Sequence, residues 1–210
     1  MHPQALLDLT STLLREVLKF EFAADNVVST FFRLNRNLGS RERHALAETT
    51  YAVLRQRLLW QNLAQSGHGP MERRLAILAW QGQENFLKAA ITTDEAQWLE
   101  RSQAIDRSTL PEKLRHNMPD WLANPLREQL GDEEFWALVE SLSVSAPLDL
   151  RVNTFKAKRE AVLEALAAAK IEAQPTAYCP TAIRINGKPA LQKLDVFTSG
   201  QVEVQDEGSQ

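Results

Sequence analysis

Between Ser143 and Pro147 the apolar residues of this chain change period, and few folds accommodate such a change. Downstream, Leu148, Leu150 and Val152 alternate with Asp149, Arg151 and Asn153, the two-residue period of a strand with one buried face. From 157 to 170 the period is helical: Val162, Leu163, Leu166 and Ala169 share a stripe, while Lys158, Arg159, Glu160 and Glu164 lie mostly off it. Alternation returns where Ile183 and Ile185 flank Arg184, and again where Val202 and Val204 flank Glu203. The pattern is β-α-β-β: a small sheet with a helix on one face. Arg151, Asn153, Arg184, Asn186, Glu203 and Gln205 are assigned to the other, polar face.

Upstream of the change every periodic segment is helical. Leu6, Leu9, Leu13 and Val17 recur at helical spacing behind Pro3, a residue suited to a first turn. Asp25 is placed as the N-cap of a second helix reaching about Gly39, and Ser40 as the cap of a long helix to Gly67. The predicted buried stripe of that long helix is Ala47, Tyr51, Leu54 and Leu58, with Leu46 and Thr50 alongside. Pro70 opens a helix through Leu75 and Leu78, and Thr92 with Glu95 has capping-box spacing. Pro111, Pro119 and Pro125 then separate short helices, the last anchored by Phe135, Trp136 and Val139. The fold class is mainly α with a C-terminal α+β lobe, divided as a helical domain at 1–143 and a small α/β lobe at 144–210.

Composition narrows function only a little. One cysteine, Cys179, excludes an internal disulfide, and the chain shows no apolar run long enough for a membrane span, so a cytoplasmic location and no membrane partner are expected. Cys179 has no neighbouring base and reads as an incidental thiol. His2, His44, His68 and His116 lack metal-ligand spacing, so no metal is expected. The five tryptophans are spaced as helix core anchors rather than as a stacking platform.

The net charge of −3 conceals an uneven distribution. Between 94 and 140 acids dominate, the pattern of a scaffold for a basic partner, whereas Arg33, Arg36, Arg41, Arg43, Arg55 and Arg57 crowd one earlier stretch. Two readings fit those arginines. They fringe a core and stack on it, or Arg33, Arg36, Arg41 and Arg43 gather at the turn around Gly39 and meet phosphates.

The runs Pro119-Asp-Trp-Leu, Leu150-Arg-Val-Asn with Lys156-x-x-Arg159-Glu160, Thr181-Ala-Ile-Arg-Ile and Gln205-Asp-Glu-Gly-Ser-Gln resemble the segment before the catalytic domain of the Sun/Fmu-type (RsmB-like) RNA cytosine-5 methyltransferases. The likeness extends more loosely to the helices, which resemble that family's NusB-like RNA-binding domain. It implies an RNA partner, ribosomal RNA first, and a further catalytic domain that binds S-adenosylmethionine (SAM). Neither that domain's glycine-rich loop nor its two cysteine motifs occurs in this sequence. The resemblance therefore implies an RNA-recognition part that binds no SAM itself and holds no catalytic residue. It assigns RNA contact to Arg151, Asn153, Lys156 and Arg159, and favours Arg33, Arg36, Arg41 and Arg43 as phosphate contacts. The alternative is a stand-alone NusB-like regulatory module that binds RNA without chemistry.

Overall fold

The computed structural model describes every residue except Lys188. It divides into two compact units, Met1–Val144 and Ser145–Gln210.

The first unit is helical. Its elements are α1 (Pro3–Val17), α2 (Ala24–Leu34), α3 (Ser40–Arg55), α4 (Arg57–Ala64), α5 (Met71–Leu78), α6 (Glu84–Ala90), α7 (Thr93–Gln103), α8 (Glu112–His116) and α9 (Asp120–Ser143). Helix α1 packs against α2, α3, α5 and α6. It belongs to two apolar clusters at once: Leu7 and Leu14 join Val53, Leu75, Ile77 and Trp98, while Leu6, Leu13 and Val17 join Val28, Phe31 and Leu46. Between them Thr10 and Ser11 are buried, and their hydroxyls donate to the Leu6 and Leu7 carbonyls at 2.8 Å. Back-bonding of this kind satisfies a small polar side chain within its own helix, so a central helix can carry it in a core.

Several boundaries depart from the sequence pattern. Asp25 lies inside the first turn of α2, whose N-cap is Ala23, and α2 stops at Leu34. Gly39 precedes α3 in the cap position and Ser40 is its first residue. The predicted helix from 40 to 67 is two helices, broken at Gln56 (φ −128°, ψ 40°). The buried face of α3 is Ala45, Leu46, Thr49, Thr50 and Val53, with Ala47, Tyr51 and Leu54 only half-buried. Pro125 lies inside α9, which is instead interrupted at Gly131, where φ is +77°. A left-handed angle suits glycine because it carries no Cβ. The Thr92–Glu95 capping box forms: the Glu95 amide donates to Thr92 Oγ1 at 3.2 Å and the Thr92 amide to Glu95 Oε2 at 2.9 Å. Phe135 and Val139 are buried, with Trp136 packed beside them.

No proline or glycine marks the break between α3 and α4. Its cause lies about sixty residues further on. Asn117, in the left-handed region (φ 53°) at the end of α8, accepts from the Leu58 amide at 2.7 Å and donates through Nδ2 to the Arg55 carbonyl at 2.6 Å. One side chain thus partners a donor and an acceptor that the interrupted ladder leaves open. Asn117→Ala is expected to cost about 2 kcal/mol, because both backbone groups lose their partner while partly shielded from water. Urea unfolding followed by tryptophan fluorescence checks this, and a loss below about 0.5 kcal/mol would show that water replaces the amide.

The second unit contains β1 (Leu148–Val152), α10 (Arg159–Ala168), β2 (Ala173–Pro175), β3 (Ala182–Ile185), α11 (Asp195–Thr198) and β4 (Val202–Val204). The four strands are ordered β2-β3-β1-β4, and every neighbouring pair is antiparallel. Its core joins Leu150 and Val152 of β1 to Val162 and Leu166 of α10, Ile183 and Ile185 of β3, and Val202. The β-α-β-β pattern therefore needs a correction: a further short strand, β2, ends on Pro175 and forms one edge. Helix α10 is shorter than predicted and leaves Ala169 exposed, and Val204 on edge strand β4 is 55% exposed.

Candidate nucleic-acid interface

The polar face of the sheet is organised by one buried carboxylate. Asp149 is 3% exposed and stands opposite Arg184 in the β1–β3 register. Arg184 donates to it twice, Nε to Oδ1 and Nη2 to Oδ2, each at 2.8 Å. That bidentate pair, the main cause, holds the Asp149 carboxyl below the ordinary carboxylate range, and the Glu207 amide adds a bond to Oδ2 at 3.2 Å. The Glu207 carboxylate in turn accepts from the amides of Tyr178 (2.7 Å) and Cys179 (3.1 Å), and its Oε2 lies 3.7 Å from Arg184. Gln210 reaches Thr181 Oγ1 at 3.4 Å. The run 205–210 thus crosses the sheet from β4 over β1 to the start of β3, covering much of a face assigned from alternation to open surface. Arg184 belongs to this internal network.

Arg151 forms an ion pair with Glu203, its register partner on β4, and both side chains are about half exposed. Beyond β1 the chain turns through Asn153, whose Oδ1 accepts from the Phe155 amide at 3.1 Å and whose amide donates to the Gln201 carbonyl at 2.8 Å. Asn153 shapes that turn and is only half-buried. Lys156 is exposed, and its Nζ donates to the Ser199 carbonyl at 2.8 Å. Arg159, at the first turn of α10, has Nε 3.8 Å from Glu160 Oε1 and no hydrogen-bond partner for that atom. The fold therefore groups Asn153, Lys156 and Arg159 on the β1–α10 connection, next to the turn that leads into β4. Phe155 is fully exposed there, and Tyr178, in the β2–β3 loop at the same end of the sheet, is 91% exposed.

In the helical unit the four arginines of the Gly39 turn have different environments. Arg43 donates through Nε to the Leu38 carbonyl at 2.9 Å and lies 5.7 Å from the Phe32 ring centre, where it braces the α2–α3 connection. Arg33 bonds Thr30 Oγ1 at 2.8 Å, and Arg36 Nε reaches the Arg33 carbonyl at 3.4 Å; both stay exposed, as does Arg41. Arg55 pairs with Glu48 at 3.7 Å, and Arg57 lies 5.0 Å from the Phe20 ring centre. The cluster therefore splits. Arg43, Arg55 and Arg57 lean on neighbouring groups, and Arg33, Arg36 and Arg41 present charge to solvent. Beside the turn, the N-terminal ammonium (2.6 Å) and the Gly39 amide hold the Glu42 carboxyl below its ordinary range.

Among the described residues no group of three His, Cys, Asp or Glu side chains is placed to hold a metal, and no helix is long and apolar enough to cross a membrane. Residues 118–192 match the RsmF/B-like methyltransferase family, over its ferredoxin-like domain. This stretch is similar to the family's ferredoxin-like domain. It takes in α9, β1, α10, β2 and β3, so the match begins upstream of the smaller compact unit. A probable ribosomal RNA small subunit methyltransferase B of Synechocystis is 29% identical over 107 residues, 50% of this chain and 24% of that protein. Ribosomal RNA small subunit methyltransferase B of Xylella fastidiosa strain Temecula1 is 34% identical over 92 residues, 44% of this chain and 21% of its own length. The Pasteurella multocida protein of that name is 38% identical over 93 residues, covering 44% and 20%. The matches thus span about a quarter of these relatives or less. The crystal structure of PH0851 superposes on 99% of this chain and 54% of its own with a TM-score of 0.67; at 16% identity the likeness is one of fold.

Within the matched stretch lie Arg151, Asn153, Lys156 and Arg159, whereas the Gly39 turn lies outside it. Sequence patterning missed Asp149 and Glu207, which fix that face: Asp149 stands opposite Arg184 in the antiparallel β1–β3 register, a pairing of strands that are not consecutive in the chain. It also misplaced Trp121, which is 75% exposed rather than a core anchor.

Proposed function

We propose that this chain recruits and orients RNA as the N-terminal, pre-catalytic part of a SAM-dependent cytosine-5 methyltransferase acting on 16S ribosomal RNA. The observation that carries this reading is the RsmF/B-like match over 118–192, together with the cations that the β1–α10 connection presents inside it. Lys156 and Arg159 offer donors to phosphate at a turn whose backbone Asn153 fixes, and Arg33, Arg36 and Arg41 of the NusB-like helical unit add a second positively charged contact. In the complete enzyme SAM would supply the methyl group. The residues here do not fit that cofactor: all strand pairs of the sheet are antiparallel, whereas a Rossmann-like SAM site is built at the ends of parallel strands. The part of these residues is therefore to hold the substrate, and the catalytic groups lie outside these 210 residues.

The test is a pair of titrations. Structured ribosomal RNA is expected to bind the chain with an affinity that falls steeply with salt, and SAM to give no heat in calorimetry. Replacing Arg33, Arg36 and Arg41 together by alanine is expected to flatten the salt slope by roughly 0.7–0.9 for each phosphate no longer neutralised, without changing the melting temperature. An unchanged slope in the folded variant would remove the Gly39 turn from the interface, and one-to-one SAM binding would overturn the division of labour. A second reading, a stand-alone NusB-like regulatory module, draws on the helical unit having apolar clusters of its own. Methyl transfer by a longer form of the protein excludes it.

A further inference from the structure

Trp121 is the second residue of α9 and 75% exposed. It lines a cleft of 560 Å³ together with the apolar Leu54, Leu58 and Pro119 and the charged Arg57, Lys113 and Asp120. Lys113 Nζ lies 3.1 Å from Asp120, which leaves the cleft with one positive charge in excess, that of Arg57. The guanidinium of Arg57 lies over the ring of Phe20, itself 56% exposed, and Arg57 and Leu54 also line the adjoining cleft against that ring. The surface thus offers an exposed indole, a planar cation backed by an aromatic ring, and apolar lining residues. A flat apolar partner that carries negative charge complements all three, and a nucleotide is such a partner.

We propose that Trp121, with Arg57 and Lys113 beside it, is a stacking platform for an unpaired base of the RNA. The proposal rests on the RNA-recruiting reading and deepens it, because the platform is made of residues other than the arginines of the Gly39 turn and the β1–α10 cations. It also sets the form of the substrate: a base whose face is free, in a loop, a bulge or a single strand, because a paired and stacked base has no face to give. The cleft is built locally by α3, α4, α8 and the first turn of α9, and the Asn117 side chain that holds the α3–α4 break also lines it.

The test uses the 210-residue chain and two probes, a short unstructured RNA of mixed sequence and the same strand annealed to its complement. Trp121→Ala is expected to weaken the unpaired RNA by roughly tenfold, as loss of one base–aromatic stack does, and to leave the salt slope unaltered. Trp121→Phe is expected to keep most of the affinity. Arg57→Gln is expected to lower the slope by about 0.7, one single-strand phosphate. Unpaired RNA is also expected to quench tryptophan emission in the parent chain and not in Trp121→Ala. If the parent binds unpaired RNA and Trp121→Ala binds it equally well, the platform is refuted while RNA recruitment stands. The platform is refuted in the same way if the variant loses duplex and unpaired RNA alike, or if a longer form of the protein buries Trp121 and RNA does not. If the parent binds neither probe at low salt, the recruiting role fails and the platform with it.

Discussion

Leu150→Ala is expected to lower the stability of the smaller unit by about 2–5 kcal/mol, the range for truncating a fully buried leucine. Leu150 has no exposed surface and joins β1 to Val162 and Leu166 of α10 and to Ile183 of β3. A unit this small has little stability in reserve, so the loss should be enough to unfold it at ambient temperature. Its neighbour separates packing from surface chemistry. Arg151→Ala is expected to cost at most about 1 kcal/mol, because its ion pair with Glu203 is half exposed. All five tryptophans lie in Met1–Val144, so tryptophan emission reports the helical unit alone while far-ultraviolet circular dichroism reports both. For Leu150→Ala the dichroism should fall with emission unchanged. A variant as stable as the parent would mean that Leu150 is not buried between the sheet and α10.

Asp149→Ala is expected to cost about 3 kcal/mol, since it removes the partner of a charge-assisted bidentate bond and strips the Glu207 amide of its acceptor. The figure sits at the low end for a broken buried pair because the Arg184 side chain is 39% exposed and water can reach it. The pair also predicts a pH dependence. Folding holds the Asp149 carboxyl below its ordinary value of 3.8, so the unfolded chain binds that proton more readily than the folded one. The stabilisation is therefore complete above the unfolded value and is lost as the pH falls through the lower, folded one. Melting temperatures of the parent should decline below about pH 4 more steeply than those of Asp149→Asn. Parallel declines would show that Asp149 is not the group that couples.

What the sequence disclosed and what it withheld differ in a consistent physical way. Periodicity reports which residues share a face, so β1, α10, β3 and β4 were legible, as was the capping box at Thr92, where the two bonding partners are only three residues apart. It does not report whether a strand is central or at an edge. Val204 alternates as well as Leu150 does, yet it lies on an edge strand and stays half exposed, while Asp149 alternates as a surface residue and is buried under the run 205–210. Strand β2 carries too few residues, and a proline, to register as a pattern at all. The α3–α4 break was invisible because its cause is Asn117, remote in sequence, and the arginine cluster was legible as composition but not as geometry. Nothing near Arg43 in the chain announces that it braces a turn on Phe32 while Arg41 is left in solvent.

The clasp of Asn117 on the Arg55 carbonyl and the Leu58 amide also has a consequence for the order of events during synthesis. Chains emerge from the N-terminus, and local helix forms far faster than residues are added. Until residue 117 is made, the Arg55 carbonyl and the Leu58 amide lack that partner, and the break is braced by contacts nearer in the chain, Trp60 Nε1 on the Ala52 carbonyl at 3.1 Å among them. The last bonds of the α3–α4 bend therefore wait for the arrival of one amide side chain.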